Sequence, residues 1–339
     1  MRIQSTVGGA ALALVAVIAT SAAGRQAVGP VSPSTAAAVP RDIRAILRAH
    51  CTVCHSPGGP SPMPFVTDQD ILPWAQRIRD LALTRQMPIW HAARGYGAFR
   101  NDPTLTPYEL ALIVNWAGAG RERGQAEAQA KPPAPKSPQA AEPENSTMTL
   151  HIPGGWITGW TFVPGDPLIT SASFTSADGS TLGAWSAGDR TVLLPPGYAI
   201  RVVSPVHVEI RRRQRTSFEP AFTRRESSVR FLRLPYTGEQ PEPIPWRRLR
   251  IERLACGETI GPGEETLIGV RPILAAGGSV QVTVERIGGA QPALLGWFRG
   301  FDPNYPRIYW LDRPLDFVAN ARLTSDAPCQ LDLVLSSRR

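Results

Sequence analysis

Cys51-Thr52-Val53-Cys54-His55 is the stretch on which the reading of this chain turns. Two cysteines separated by two residues and followed at once by histidine form the attachment signature of c-type haem. The sulfurs become thioether anchors to the porphyrin, and the adjacent imidazole is held where it can ligate iron from one face. A structural zinc site would want a second Cys or His pair at comparable spacing. The remaining cysteines, Cys256 and Cys329, lie far downstream, which excludes that arrangement. A thioredoxin-like redox pair is the other competing reading, and the histidine directly after the second cysteine favours haem over it.

Working outward, Ile43, Ile46 and Leu47 recur at helical spacing from Arg41 and run directly into Cys51. Pro57, Gly58, Gly59, Pro60 and Pro62 then force an irregular loop. Asp68 or Asp70 is placed to cap a second helix carrying Ile71, Trp74, Ile78, Leu81 and Ala82. Its end is expected at Gln86-Met87-Pro88, because a residue before proline is pushed out of helical geometry. A third helix opens with Thr106 as cap, Pro107 at the first position and Glu109 behind it, and is expected to stop at Gly118 and Gly120. Three helices around one haem leave the second axial ligand open among Met87, Met63, His91 and an open or water-bound site. His50 abuts the motif on the wrong face. Met87 is favoured because Pro88 frees its backbone to turn the thioether across the pocket, whereas Met63 follows His55 by a very short loop.

The N-terminus reads as an export signal over residues 1–23, with Arg2, an apolar run from Val7 to about Ile18 and a small-residue site at Thr20-Ser21-Ala22-Ala23. A periplasmic or otherwise exported protein is expected, with an uncleaved N-terminal membrane tether as the alternative. Residues 24–40 form a Pro/Ser/Ala-rich lead-in. The net charge of +8 is almost all arginine, since Lys131 and Lys136 are the only lysines. Runs such as Arg211-Arg212-Arg213 and Arg247-Arg248 could meet nucleic acid or anionic lipid. Export leaves little access to DNA, so solvated strand faces are expected, with a docking surface for an acidic redox partner as the functional reading.

Residues 41–120 resemble the small cytochrome c domain of bacterial secreted proteins. The resemblance rests on Cys51-Thr52-Val53-Cys54-His55, Pro73-Trp74-Ala75, Met87-Pro88-Ile89-Trp90-His91 and Asn115-Trp116-Ala117-Gly118. It implies an axial pair of His55 and Met87. Ile89 departs from the family pattern, which has a second proline there.

Residues 121–147 turn to Ala, Pro, Glu, Gln and Lys without periodicity and read as a linker. The remainder alternates as strands do, at Val206, Val208 and Ile210, at Val280, Val282 and Val284, and at Leu331, Leu333 and Leu335. Two β-sandwich modules are expected, over residues 148–244 and 245–339. Trp160-Thr161-Phe162-Val163-Pro164-Gly165, Leu182-Gly183-Ala184-Trp185 and Leu194-Pro195-Pro196-Gly197-Tyr198 resemble the first jelly-roll of copper type II, ascorbate-dependent monooxygenases, relatives of the peptidylglycine hydroxylating enzymes. The fold class expected is thus multidomain, a small all-α cytochrome c domain followed by an all-β double jelly-roll or β-sandwich region.

That family holds its coppers with histidines and a methionine. After the linker this chain has only Met148, His151 and His207, and the two histidines are separated by several expected strands. No copper is expected, and one covalent haem c is. The resulting expectation is a monohaem electron carrier with a copper-less β-domain for docking or structure, rather than a copper monooxygenase. A haem enzyme or gas sensor with an open sixth site, and an electron-relay subunit of a membrane-associated complex, are the alternatives. The partner expected is a redox protein of unknown identity, not nucleic acid. Cys256 and Cys329 are expected to pair in an oxidising compartment.

Overall fold

The computed structural model describes residues 38–61, 63–122, 145–215, 222–234, 246–261, 263–285, 291–317 and 321–337. The segment read as an export signal and most of the expected lead-in and linker lie outside the described residues. Among those described, no helix is long and apolar enough to cross a membrane.

The helical segment holds α1 (Arg41–His50), α2 (Asp68–Ile71), a 3-10 turn (Leu72–Trp74), α3 (Ala75–Leu83) and α4 (Pro107–Glu122). Ile43, Ile46 and Leu47 bury one face of α1 against Phe65, Ile71 and Ile113. The second expected helix is broken in two around Pro73, whose ring cannot continue the hydrogen-bond ladder. Thr67, not Asp68 or Asp70, caps it: its hydroxyl accepts the Asp70 N–H while the Asp70 carboxylate accepts the Thr67 N–H. At α4 the cap is as read, with the Thr106 hydroxyl accepting from the Glu109 N–H and Pro107 opening the helix. The helix continues through Gly118 and Gly120 to Glu122, because neither glycine is followed by a residue that must leave helical geometry.

Sixteen strands follow among the described residues: β1 (Ser146–Leu150), β2 (Gly155–Val163), β3 (Ile169–Ser176), β4 (Thr181–Ser186), β5 (Thr191–Leu193), β6 (Tyr198–Val202), β7 (Val206–Arg212), β8 (Ser228–Arg233), β9 (Arg247–Ala255), β10 (Thr259–Ile260), β11 (Glu265–Ile273), β12 (Val280–Glu285), β13 (Ala293–Phe298), β14 (Tyr309–Phe317), β15 (Ala321–Ser325) and β16 (Gln330–Ser337). They form two four-stranded sheets, β1-β7-β3-β4 and β10-β15-β12-β13. An eight-stranded sheet, β14-β11-β16-β9-β6-β2-β5 with β8 on β2, lies between their two cores.

The expected fold class is overturned at its all-α domain, whereas the β-sandwich character expected of the rest is seen, with its two halves joined through one sheet. β6 pairs in parallel with β9, Tyr198 opposite Arg247, so one sheet runs across the point where the modules were separated. Within that sheet Leu331, Leu333 and Leu335 enter one core while Val334 enters the other, and Leu267 and Ile268 divide the same way. Strands buried on both faces lose the alternation that marks a one-sided sandwich strand. Asp332, between the two leucines, is buried and ion-paired with Arg271 and Arg253.

Among the described residues no separate all-α domain exists; the chain from Val39 onward is one compact unit dominated by strands. Residues 89–102 leave the helices and join the β-sheets. Ala92 bridges Phe298 and Phe99 bridges Leu311. The Ala93 N–H donates to the Trp297 carbonyl at 2.7 Å, and the Asp312 N–H to the Ala98 carbonyl at 2.9 Å. Trp90, Ala92 and Phe99 pack into the same core as Phe298, Tyr309 and Leu311. The short helices offer no surface large enough to bury these side chains, and the β core does.

Cys256 and Cys329 are disulfide-bonded, with Cα atoms 5.2 Å apart. The Cys256 N–H donates to the Cys329 carbonyl at 2.8 Å, so the backbone pairing of β9 and β16 brings the thiols together.

Candidate haem-attachment site

The end of α1 delivers the motif. Cys51 caps the helix through its N–H to the Leu47 carbonyl, and a tight turn follows in which the Cys54 and His55 N–H groups both donate to the Cys51 carbonyl, at 3.1 and 2.9 Å. Both cysteines are free and half-buried, on the wall of a cavity of about 370 Å³. Leu47, Phe65, Ile78, Leu81 and Ile113 supply much of its apolar lining, and His55, Met63 and Met87 also face it. Burial pushes the Cys51 thiol up to about 12, with the neighbouring Cys54 adding to it, and burial pushes Cys54 up to about 11. These are protonated thiols in an apolar wall, the opposite of the activated thiolate a thioredoxin-like pair requires.

The His55 ring is fixed on two sides. It stacks on Phe65 with centroids 4.2 Å apart, and its Nδ1 lies 2.8 Å from the Met63 carbonyl. A carbonyl only accepts, so Nδ1 carries the hydrogen and the lone pair sits on Nε2. Burial holds the imidazole below its ordinary pKa, partly offset by the bond to Met63. A neutral ring with one nitrogen anchored to the backbone is the form in which histidine ligates a metal.

The candidates for the opposite ligand separate clearly. His91 is buried and does not line the cavity: Tyr309 holds its Nδ1 at 3.2 Å and the Asp302 N–H donates to its Nε2 at 3.2 Å. His50 spends Nδ1 on the Pro103 carbonyl and Nε2 on Glu109. The Met63 thioether accepts from the Ser61 hydroxyl at 3.3 Å, and Ser61 Oγ is also 2.9 Å from His55 Nδ1, which puts this sulfur on the anchored side of the imidazole. Met87, beyond the end of α3, is 40 % exposed and faces the cavity.

Part of the wall was not legible in the motif. Ala187 and Gly188 after β4, Arg213 after β7, and Tyr305 and Arg307 before β14 close the cavity from the β side. Nothing in the local sequence at these positions signals a cofactor; only the tertiary fold brings them there.

The histidines weighed for copper lie elsewhere. β1 pairs with β7, which sets Thr149 opposite His207 with Thr149 Oγ1 3.4 Å from His207 Nδ1. His151 directly follows β1 and His207 lies within β7, so the two histidines belong to adjacent strands rather than to strands far apart. Met148 packs against the core while His207 and His151 are exposed. Nearby, Arg211 pairs with Glu209 and Arg212 with Asp166.

No family model and no curated protein matches the chain. Among solved structures, oxalate decarboxylase from Bacillus subtilis is similar at 11 % identity, covering 58 % of this chain and 69 % of that one, with a TM-score of 0.12, a likeness too slight to carry an argument.

Proposed function

We propose that Cys51 and Cys54 carry one covalent haem c, that His55 and Met87 are its axial ligands, and that the protein transfers single electrons in the periplasm or another exported setting. The observation that carries this is the joint one: both thiols, an imidazole locked as the Nδ1–H tautomer and an unengaged thioether face one apolar cavity. When bound, haem supplies an iron that cycles by one electron. The residues do the rest. Cys51 and Cys54 would hold the haem through thioethers, each S–H adding across one of its vinyl groups, while the Met63 carbonyl keeps the His55 lone pair at Nε2 and Leu47, Phe65 and Ile113 exclude water. A redox protein is the partner in this reading, nucleic acid is not, and a membrane-associated complex is a further setting in which the same site would serve as a relay.

Purified protein should keep its pigment through acid–acetone extraction, and Cys51→Ala with Cys54→Ala should lose all of it. Pigment extractable from the unmutated protein would sink the proposal. The exposure of Met87 favours one second reading, a sensor or haem enzyme whose thioether is displaced. Carbon monoxide binding to the reduced protein at stoichiometric concentration would select it, whereas electron transfer alone predicts none.

The β-region is proposed to work without copper. Three or more nitrogen or thioether ligands must converge on such an ion, and Met148 turns away from the two exposed histidines. Protein exposed to copper and desalted should retain well under one equivalent by elemental analysis; a full equivalent lost in His207→Ala would restore the monooxygenase reading.

A further inference from the structure

One arginine of the cavity wall contributed by the β-region, Arg307, is ion-paired with Asp189, which does not itself line the cavity. Arg307, before β14, has its Nε 3.1 Å from Asp189 Oδ1, with side chains 11 % and 19 % exposed. The pair is rigidly built. Asp189 follows β4, and its Oδ2 accepts the Ser186 N–H at 2.9 Å while its carbonyl accepts the Trp185 indole N–H at 2.8 Å. Arg307 donates to the Ala187 carbonyl at 3.2 Å and to the Ile89 carbonyl at 3.4 Å, and its guanidinium lies 5.9 Å from the Trp90 ring centroid. It therefore joins the β4–β5 connection to the segment that immediately follows Met87.

The same group reaches the attachment motif. A methyl group placed on Gly188 would lie 3.3 Å from Cys54 Sγ and 3.2 Å from Arg307 Nη2, so the glycine lets the cysteine and the arginine close around it. Gly188 has φ +101°, a backbone conformation that side-chain-bearing residues rarely adopt. Arg307 Nε is buried without a well-directed hydrogen bond despite its nearness to Asp189, so the guanidinium charge is balanced by proximity rather than quenched by a bidentate pair. Among the described residues, Arg77 and Arg213 are the other arginines on the wall, and no carboxylate lines it.

We propose that the Arg307–Asp189 pair is a positioning and tuning element by which the β-region sets the reduction potential of the haem centre. The inference rests on the covalent-haem reading. The step it modulates is one-electron exchange: ferric iron gains one electron from a one-electron donor, which is oxidised by one, with no bond made or broken. A fixed positive charge beside the site favours the reduced state and a fixed negative charge the oxidised one. The two members of the pair therefore act in opposite senses, which a structural clasp would not do.

The test uses the full-length chain. Covalent haem is first established by haem staining of denatured protein; if the unmutated chain carries none, the haem reading fails and this inference with it. The equilibrium with a one-electron mediator of fixed potential is then measured in Asp189→Asn, Arg307→Gln and Arg307→Lys, with the sulfur-to-iron charge-transfer band monitored in each as a check on Met87. Asp189→Asn should shift the equilibrium toward reduced protein and Arg307→Gln toward oxidised protein, each by on the order of tenfold. Arg307→Lys should restore most of the unmutated value. Shifts in the same direction, no shift in Asp189→Asn, or a shift that appears only where the charge-transfer band is lost would overturn the proposal while leaving the haem assignment standing.

Discussion

The helical region and the β-region differ most in how much core each owns. Among the described residues, seven buried apolar side chains, including Ile43, Leu47, Phe65 and Ile113, make the helical cluster, and the two β cores hold twenty and sixteen. The chemistry-bearing motif thus sits on the smaller core, in a segment from which Trp90 and Phe99 pack, partly buried, against its neighbour's core. A region of so few buried residues has little stability to spare. It is completed by what it borrows: residues 89–102 pair with β13 and β14, and the far wall of its cavity belongs to the β-region.

The largest expected way to break the contrast is to weaken the β-region alone. Replacing Cys256 and Cys329 together by serine removes a cross-link of sequence separation 73, worth about 4 kcal/mol on the chain-entropy account. Urea unfolding should shift by that amount with covalent pigment retained. Thiol titration of the denatured, unreduced Cys51→Ala/Cys54→Ala protein should find no free thiol. Two per chain would show that the bond does not form in solution.

The same asymmetry decides what could be read from the sequence. That Cys51, Cys54 and His55 share one cavity was legible because they are near neighbours at the end of one helix, and Thr106-Pro107 because a cap and a fixed φ are local properties. The helix cap at Thr67 was passed over for the aspartates behind it, though Thr67 and Asp70 have capping-box spacing. Trp90 and Phe99 could not be assigned to the β core, since an apolar residue in a loop carries no label of the surface that will bury it. Leu331, Leu333 and Leu335 gave the strand but hid the fold: alternation showed one buried face, whereas Val334 and the ion-paired Asp332 reveal that the other is buried as well. Arg307 and Gly188 carried no signal, because their meaning arises only from meeting Cys54 across the chain.

His91 sits where the two regions are joined, and its titration sharpens the comparison. Burial pushes its pKa down to about 4; the Asp302 carboxylate opposes this and the Arg307 guanidinium reinforces it. The native ring is therefore neutral where the unfolded one, near 6.5, takes up a proton. The unfolded state binds more protons between these values, so the contribution is complete above about pH 6.5 and is lost as pH falls toward 4. Its full size is about 3 kcal/mol. Urea midpoints of the unmutated protein should fall across that window, and those of His91→Gln should be much flatter. A parallel pH dependence in the variant would mean that the junction does not carry the loss.

The smallest effect expected is confined to the helical side. The Thr106 hydroxyl accepts the Glu109 N–H at 3.2 Å, while one Glu109 oxygen accepts the Thr106 N–H at 2.8 Å and the other lies 3.1 Å from Nε2 of His50. His50 in turn ends α1, immediately before Cys51. The hydrogen bonds from Thr106, foremost its backbone N–H, hold the Glu109 carboxyl below its usual range, with His50 adding to them. The cap of α4 and the seat of the motif therefore share one carboxylate. Thr106→Ala should cost about 1 kcal/mol, the usual loss for an N-cap hydroxyl. Amide exchange should quicken in the first turn of α4 and at His50 and Cys51, and remain unchanged in β11 and β16. Exchange that quickens equally in those strands would show that the helical and β-regions open as one cooperative unit, and that the difference in their cores has no counterpart in local stability.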